Sequence, residues 1–133
     1  MIADATGEHR VKVKVLFADE LSTFKEKIDV LLISVKSNDT AAVLKLLMPH
    51  MAEDFVVMSL QNGINEDVII PIAGRERTVA GVSYTGGVLL RPGYAAGHDG
   101  YFVIGELDGT KTARIKELAE VLGAVKPTHI LLS

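Results

Sequence analysis

The sequence predicts an α/β fold built on a mainly parallel sheet with an antiparallel hairpin added to it. Between residues 29 and 82, apolar runs of strand length alternate with helical patterns, which is typical of βαβ units. After residue 82 the apolar runs become short and are separated by Pro and Gly, as in hairpins. An amphipathic helix follows over residues 110–123, with Ile115, Leu118 and Leu122 on one face.

Length and composition limit the class of protein. The chain has 133 residues, 48% of them hydrophobic, a formal net charge of −3 and no Cys. We therefore expect one domain over residues 1–133, without disulfides or thiolate chemistry. No long basic run indicates a nucleic-acid or membrane surface. The longest apolar runs, Val30–Ile33 and Val68–Ile72, are far shorter than the ~20 residues that span a bilayer. With no signal-peptide pattern at the N-terminus, we expect a cytoplasmic protein.

The first half begins with two weaker elements. Residues 11–17 alternate Val and Lys, which predicts a strand with one wet face, and residues 20–27 suggest a helical turn. Val30–Val35 is a continuous β-branched and Leu run, so we expect a strand buried on both faces. N-cap residue types at 37–40 then open a helix, which we expect to extend to Met51 with Pro49 near its end.

The remaining elements follow from the same patterns. Residues 55–60 form a second buried strand, and Asn65 opens a short helix that Gly74 ends. Thr78–Val82 is a third strand. Further strands are predicted by apolar runs between turn residues, at Val88–Leu90, Tyr94–Ala96, Tyr101–Ile104 and Val125–Leu132.

Lysine, amide and hydroxyl side chains cluster where the three buried strands end. Lys36 follows the first strand, Gln61-Asn62-Gly63 the second, and Ser83 and Thr85 the third. Ligands of open α/β sheets bind outside the carboxyl ends of the strands. If the three strands are parallel neighbours, an ammonium group, two carboxamides and hydroxyl groups surround one crevice.

These residues also have a purely structural interpretation. Lys36 could simply extend from a strand end into solvent. Asn62-Gly63 is a common turn pair because both residues tolerate positive φ. Glu106, at the end of a later strand, either faces a site or is a solvated strand terminus. The four His residues are scattered without metal-ligand spacing, so we assign no metal site.

The ordered set of motifs resembles the ketopantoate reductase (2-dehydropantoate 2-reductase) family. The resemblance covers about residues 2–131. It is carried by Asp29-Val30-Leu31-Leu32-Ile33-Ser34-Val35-Lys36-Ser37, Asp39-Thr40 and Ser59-Leu60-Gln61-Asn62-Gly63-Ile64, then by Gly81-Val82, Thr85-Gly86-Gly87, Pro92-Gly93, His98 and Ile104-Gly105-Glu106.

The resemblance implies a Rossmann-type NADP-binding domain and an NADPH-dependent reduction of a small 2-keto acid. The reaction is that of 2-dehydropantoate to pantoate, on the pathway to pantothenate and coenzyme A. It implies that Lys36 and Asn62 are catalytic residues that also line the nicotinamide-ribose end of the cofactor. Gln61, Gly63, Ser83 and Thr85 are implied as further cofactor-binding residues.

The departures from the family are as informative as the matches. The chain lacks the first strand–Gly-rich turn–helix unit that holds the pyrophosphate, and the C-terminal helical domain that carries the general-acid Lys. The expectation is therefore a fragment that is inactive alone. A missing first strand would leave the edge of Val30–Val35 open, so we expect self-association there or coverage by Val11–Val15. A related 2-keto or 3-hydroxy acid dehydrogenase and a non-catalytic assembly module remain alternatives.

Overall fold

The computed structural model describes residues 1–4, 7–10 and 12–132. Its strands are β1 (Ile2–Asp4), β2 (Gly7–His9), β3 (Ile28–Ile33), β4 (Met51–Ser59), β5 (Thr78–Ser83), β6 (Gly87–Arg91), β7 (Tyr94–Gly97), β8 (Phe102–Glu106) and β9 (Thr128–Ile130). Its α-helices are α1 (Thr40–Leu47), α2 (Glu66–Ala73) and α3 (Ala113–Gly123). Short 3₁₀ turns lie at Ala18–Thr23, Ser37–Asp39, Met48–His50 and Arg75–Arg77.

The main sheet has five strands in the order β3-β4-β5-β8-β9. β3, β4 and β5 are parallel neighbours, β8 is antiparallel to β5, and β9 is parallel to β8. The mainly parallel α/β architecture predicted from the sequence is therefore confirmed. The carboxyl ends of β3, β4 and β5 lie at one edge of the sheet, which we call the carboxyl edge.

A second sheet of four strands, in the order β2-β1-β7-β6, stands apart from the first. β6 and β7 form the predicted hairpin, and its turn contains Gly93 with φ 74°. β1 pairs in parallel with β7 and antiparallel with β2. The sequence predicted the hairpin but not these two short partner strands, which carry too few apolar residues for a recognisable period.

Two apolar layers cover the faces of the main sheet. One side chain of β4 enters one layer and the next enters the other, because successive side chains of a strand point to opposite faces. The layer beneath α3 is built from Val56, Met58, Val79, Phe102, Ile104, Ile115, Leu118 and Leu122. The layer beneath α1 and α2 is built from Ile33, Leu44, Met51, Phe55, Val57, Ile69 and Ala73.

The structure corrects the prediction of a first strand over residues 11–17. Val11 lies outside the described residues, and residues 12–17 form no strand. Val13 and Val15 are 69% and 70% exposed. The alternating pattern fits a strand, but a strand also needs a neighbour to accept its backbone hydrogen bonds. Residues 12–15 pair with no strand, so the described part of this segment does not cover the edge of β3.

Strand β3 is not buried on both faces as predicted. It is the outer strand of the main sheet, and its Val30 and Leu32 side chains are 44% and 41% exposed. Ile33 is buried because α1 and α2 cover its face. No described helix covers the other face at β3. Ahead of β3, the described residues also include no Gly-rich turn that leads from a strand into a helix.

Smaller differences concern the ends of elements. α1 ends at Leu47, and Pro49 lies in a 3₁₀ turn, so Met51 begins β4 instead of ending the helix. Pro cannot continue a helix without losing a backbone hydrogen bond. β9 begins only after Pro127 and is shorter than predicted. Within the described part of the chain, no helix is long and apolar enough to cross a membrane.

Candidate functional site at the carboxyl edge

Lys36 lies just beyond β3, at the start of the 3₁₀ turn that leads into α1. Its backbone is extended, with φ −63° and ψ 143°, and its carbonyl accepts a hydrogen bond of 2.9 Å from the Asp39 amide. A further bond of 2.9 Å from the Leu60 amide to the Ile33 carbonyl ties the end of β3 to the end of β4. The turn carrying Lys36 is therefore fixed against the neighbouring strand.

An open cavity of about 510 Å³ lies at this edge. It is lined by Ser34, Val35, Lys36, Ser37, Leu60, Gln61, Asn62, Ser83 and Thr85. The structure thus brings together Lys36, the two amide residues and the two hydroxyl residues, as the parallel strand order required. The volume falls within the ~300–1,000 Å³ typical of small-molecule pockets.

Lys36 and Asn62 present unused polar groups to this cavity. Both residues are exposed. Neither side chain makes an ion pair or hydrogen bond with any residue that the structure describes. A three-donor ammonium group and a carboxamide are therefore available to a ligand in the same crevice.

Gln61 differs from its neighbours because its carboxamide is committed to internal bonds. The Oε1 atom accepts hydrogen bonds of 3.1 Å from Thr40 Oγ1 and from Ser59 Oγ. The Nε2 group donates to the Val35 carbonyl and, over 2.9 Å, to Thr40 Oγ1. Gln61 also donates its backbone N–H to Ser59 Oγ over 3.1 Å. Thr40 and Ser59 occur in the motifs that carry the family resemblance, but the sequence predicted no role in the site for either residue.

The side chain of Asn65 stabilises the Asn62-Gly63 turn by hydrogen bonds to its backbone. Asn65 is buried, and its amide donates to the carbonyls of Asn62 over 3.1 Å and of Gly63 over 3.4 Å. Gly63 has φ 92°, a conformation that residues with a Cβ rarely adopt. It does not line the cavity, so the structure shows it shaping the turn, and a direct contact with a ligand remains a prediction.

The third strand contributes two hydroxyl groups. Ser83 and Thr85 hydroxyls lie 2.9 Å apart and are hydrogen-bonded to each other. Behind them, Gly81 lets β5 approach β4 closely, because a Cβ at that position would lie 2.6 Å from the Ser59 carbonyl oxygen. A glycine inside a strand pattern is the sequence signal for such an approach.

Glu106 lies at the opposite edge of the sheet because β8 runs antiparallel to β5. It is neither a site residue at the carboxyl edge nor a solvated terminus, and both interpretations offered by the sequence are wrong. Arg114 Nε and Nη2 donate to its two oxygens over 2.8 and 2.6 Å, and Thr112 donates as well. These bonds, led by those from Arg114, hold the pKa of the Glu106 carboxyl below its ordinary value.

No described residues form a group of three or more His, Asp or Glu that could hold a metal ion. The His98 backbone amide donates to the Gly86 carbonyl over 2.9 Å, which helps to close the loop behind Thr85. His50 and His129 make ring contacts with Phe24 and Tyr101. The structure therefore gives these three His residues local structural contacts.

The parallel sheet and its polar carboxyl edge define a Rossmann-type α/β domain with an open polar crevice at the strand ends. The sequence profile of the family "Ketopantoate reductase PanE/ApbA" matches residues 1–109. The chain belongs to the ketopantoate reductase family, as the motifs in the sequence indicated.

Individual relatives agree with this assignment. The 2-dehydropantoate 2-reductase of Archaeoglobus fulgidus is 35% identical over 98 residues, which are 73% of this chain and 32% of that protein. The crystal structure of 2-dehydropantoate 2-reductase from Geobacter metallireducens GS-15 has a TM-score of 0.84 at 26% identity, covering 97% of this chain and 43% of that one. The chain thus spans about a third of the curated relative and under half of the solved one.

A second similar structure is a D-mandelate dehydrogenase in a ternary complex with NADH and anilino(oxo)acetate. It has a TM-score of 0.84 at 22% identity and covers 97% of this chain and 42% of that one. At this identity the likeness shows the shared fold. All three relatives are oxidoreductases by name.

Proposed function

We propose that this chain forms part of the nucleotide-binding domain of an NADPH-dependent 2-keto acid reductase, with 2-dehydropantoate as substrate and pantoate as product. The observation that carries the proposal is the cavity where Lys36 and Asn62 present unpaired polar groups at the carboxyl ends of parallel strands. Membership of the ketopantoate reductase family supports the reaction and the cofactor.

The donors at the crevice suit the nicotinamide-ribose end of a dinucleotide and a keto acid. NADPH, when bound, would supply a hydride for the keto carbon and become NADP⁺, and the alkoxide would take its proton from water or from a general acid outside this chain. Lys36 holds a positive charge where negative charge develops on the carbonyl oxygen, and pre-placed charge of this kind stabilises a transition state. Asn62 can accept from a ribose hydroxyl and donate to a carboxylate. Ser83 and Thr85 offer further hydroxyl groups at the third strand end.

Activity should depend strongly on Lys36. The test uses the chain expressed with the sequence that flanks it in its gene, and follows NADPH oxidation with 2-dehydropantoate. We expect Lys36→Ala to lower kcat/KM by roughly 10²–10³-fold, the effect of removing one pre-placed charge-stabilising group. Lys45→Ala, on the exposed side of α1, is the matched control and should keep its activity. Normal turnover in Lys36→Ala would remove this residue from the site.

The 133-residue chain alone should bind NADPH weakly and show no useful reductase rate. The described residues contain no Gly-rich turn at a helix N-terminus, the usual binding device for a pyrophosphate. A fluorescence titration of the isolated chain should not saturate at micromolar NADPH. Saturation in that range would contradict the proposal that this chain is only one part of the binding site.

A related dehydrogenase of 2-keto acids is the second candidate. The D-mandelate dehydrogenase that shares the fold was solved with NADH and an oxo acid. The same assay with NADH and with phenylglyoxylate in place of 2-dehydropantoate distinguishes the two. A preference for NADH and the aromatic keto acid would favour the second candidate. We call the chain expressed with its flanking gene sequence the flank-extended protein. If this protein is inactive with both substrates, a non-catalytic assembly module is favoured.

We also propose that the open edge of β3 pairs with a second copy of the chain. Val30 and Leu32 are partly exposed on an outer strand, and unpaired edges of this kind promote association. Sedimentation of the chain should show a dimer that Leu32→Lys dissociates. A monomer at all concentrations would exclude this pairing.

A further inference from the structure

We propose that Gln61 positions Lys36 relative to Asn62 without touching the ligand itself. This inference rests on the proposed function of the carboxyl edge, and it assigns Gln61 a role different from that of its neighbours. Gln61 precedes Asn62 directly in the chain, while its side chain reaches across to the segment that carries Lys36.

The bonds of Gln61 lie on both sides of the Lys36 turn. Its Nε2 group donates to the carbonyl of Val35, the residue before Lys36. The same carboxamide bonds the hydroxyl of Thr40, the residue that begins α1. The turn over residues 36–39 is thus held at its two ends by one side chain of the loop that follows β4. We call these contacts the Gln61 clamp.

The clamp is buried, and the polar atoms of the Gln61 side chain are all paired within it. Gln61 is 7% exposed, Thr40 is fully buried and Ser59 is 1% exposed. Every polar atom of the Gln61 side chain has a partner inside the protein. A ligand in the cavity would have to break these bonds to engage that carboxamide, whereas Lys36 and Asn62 are available at no such cost.

The chemistry of the clamp requires an amide. The hydroxyl groups of Thr40 and Ser59 donate to the Oε1 atom of Gln61, and the carbonyl oxygen of Val35 accepts from its Nε2 group. A protonated glutamate has the same shape but only one O–H, so it can replace only one of the two bonds that Gln61 Nε2 donates. An ionised glutamate has no donor and places an acceptor oxygen against the Val35 carbonyl oxygen. Two acceptors cannot bond each other, and in a low-dielectric interior their repulsion is strong. The replacement should therefore displace the turn that carries Lys36.

The experiment uses Gln61→Glu in the flank-extended protein. Asn38→Asp is the matched control, because it places a carboxylate in the same turn, two residues from Lys36, while the Asn38 side chain makes no hydrogen bond to Gln61, Thr40 or Ser59. The first readout is the backbone amide chemical shift of ¹⁵N-labelled Lys36 and Asn62 without cofactor or substrate. We expect Gln61→Glu to move both signals beyond the control. The second readout is kcat/KM with NADPH, which should fall at least 10-fold in Gln61→Glu and remain within twofold in Asn38→Asp.

A second pair of variants keeps the test decisive if Gln61→Glu does not fold. Thr40→Val removes one hydroxyl of the clamp without adding charge, and Thr40→Ser retains it. We expect Thr40→Val to shift the Lys36 amide signal and to raise KM for NADPH by more than its loss of thermal stability explains. Thr40→Ser should have the Lys36 signal and the KM of the unsubstituted protein. A Lys36 signal unmoved in Thr40→Val, or one not restored in Thr40→Ser, overturns the inference.

Failure of the inference and failure of the proposed function give different results. If the unsubstituted flank-extended protein does not oxidise NADPH, the proposed function fails, while the amide shifts still decide whether Gln61 sets the Lys36 turn. If that protein is active and Gln61→Glu keeps both its shifts and its kcat/KM, the function stands and the positioning role of Gln61 is excluded.

Discussion

The two edges of the main sheet carry similar polar groups and use them in opposite ways. Each edge has an open cavity, of about 510 Å³ at the carboxyl edge and about 520 Å³ at the other. At the opposite edge the charges of Glu106 and Arg114 are paired 2.6 Å apart. At the carboxyl edge the Lys36 ammonium has no partner among the described residues. The difference teaches that pairing, more than the presence of charged residues in a cavity, separates a structural cluster from a candidate ligand site.

The comparison predicts its largest stability effect at Glu106. Its side chain is 6% exposed, and it receives bonds from both Arg114 and Thr112. Glu106→Ala removes the acceptor of the Thr112 hydroxyl and of two Arg114 donors, but Arg114 is 34% exposed and can be solvated, so we expect a loss of about 2 kcal/mol in the free energy of unfolding. Urea denaturation at pH 7 measures it. A loss below about 1 kcal/mol would mean that the Glu106–Arg114 pair contributes little to stability, and the contrast between the two edges would not hold.

The pH dependence of stability provides a second test of the structural role of Glu106, with a smaller expected change in the free energy of unfolding. The folded-state pKa of Glu106 is lowered, chiefly by the Arg114 hydrogen bonds, so its stabilisation is present above the unfolded-state pKa. That stabilisation is lost as the pH falls below about 4.5 towards the folded-state pKa. Hydrogen bonds from Thr110 also lower the pKa of Asp108, so a variant is needed to isolate the contribution of Glu106 in acid.

Glu106→Gln is the variant that isolates the charge of Glu106, and it is compared with the unsubstituted protein. We expect it to cost about 1–2 kcal/mol at pH 7, because the amide retains part of the hydrogen bonding without the charge. The difference in unfolding free energy between the two proteins should shrink between pH 5 and pH 3. A difference that stays constant over this range would show that the charge of Glu106 contributes nothing.

The smallest stability effect should occur at Lys36. Its ammonium group contacts no described partner, so Lys36→Ala should change the free energy of unfolding by less than about 0.5 kcal/mol. The same variant should lose most of its activity, as proposed above. Thermal denaturation at several salt concentrations measures the stability. A loss of several kcal/mol would mean that Lys36 is structural, and the contrast between the two edges would not hold.

Periodicity and turn residues predicted the main sheet well. Continuous apolar runs at Val30–Val35 and 55–60 predicted parallel neighbouring strands, and this order predicted that Lys36 and Asn62 lie at one edge of the sheet. Residues 12–17 show where such patterns are insufficient. Their alternation is that of a strand, but pairing depends on a neighbour that local sequence does not specify.

The contacts that define the site were harder to predict than the residues that line it. The Gln61 clamp joins residues of the β3–α1 turn, the start of α1 and the end of β4, which are up to 26 positions apart. A local pattern contains no information on such pairs. Glu106 was misplaced because its role depends on Arg114, in a helix that follows β8. Sequence reasoning therefore identified candidate donors, and only the packed structure showed which of them are already used.

The alternation of β4 between the two apolar layers has a consequence for unfolding. Val57 packs beneath α1 and α2, while its neighbours Val56 and Met58 pack beneath α3. If one layer unfolds, β4 loses the packing on one of its faces, and the other layer depends on the same strand. The main sheet should therefore denature in a single cooperative transition, and its crevice should persist or vanish together with the whole sheet.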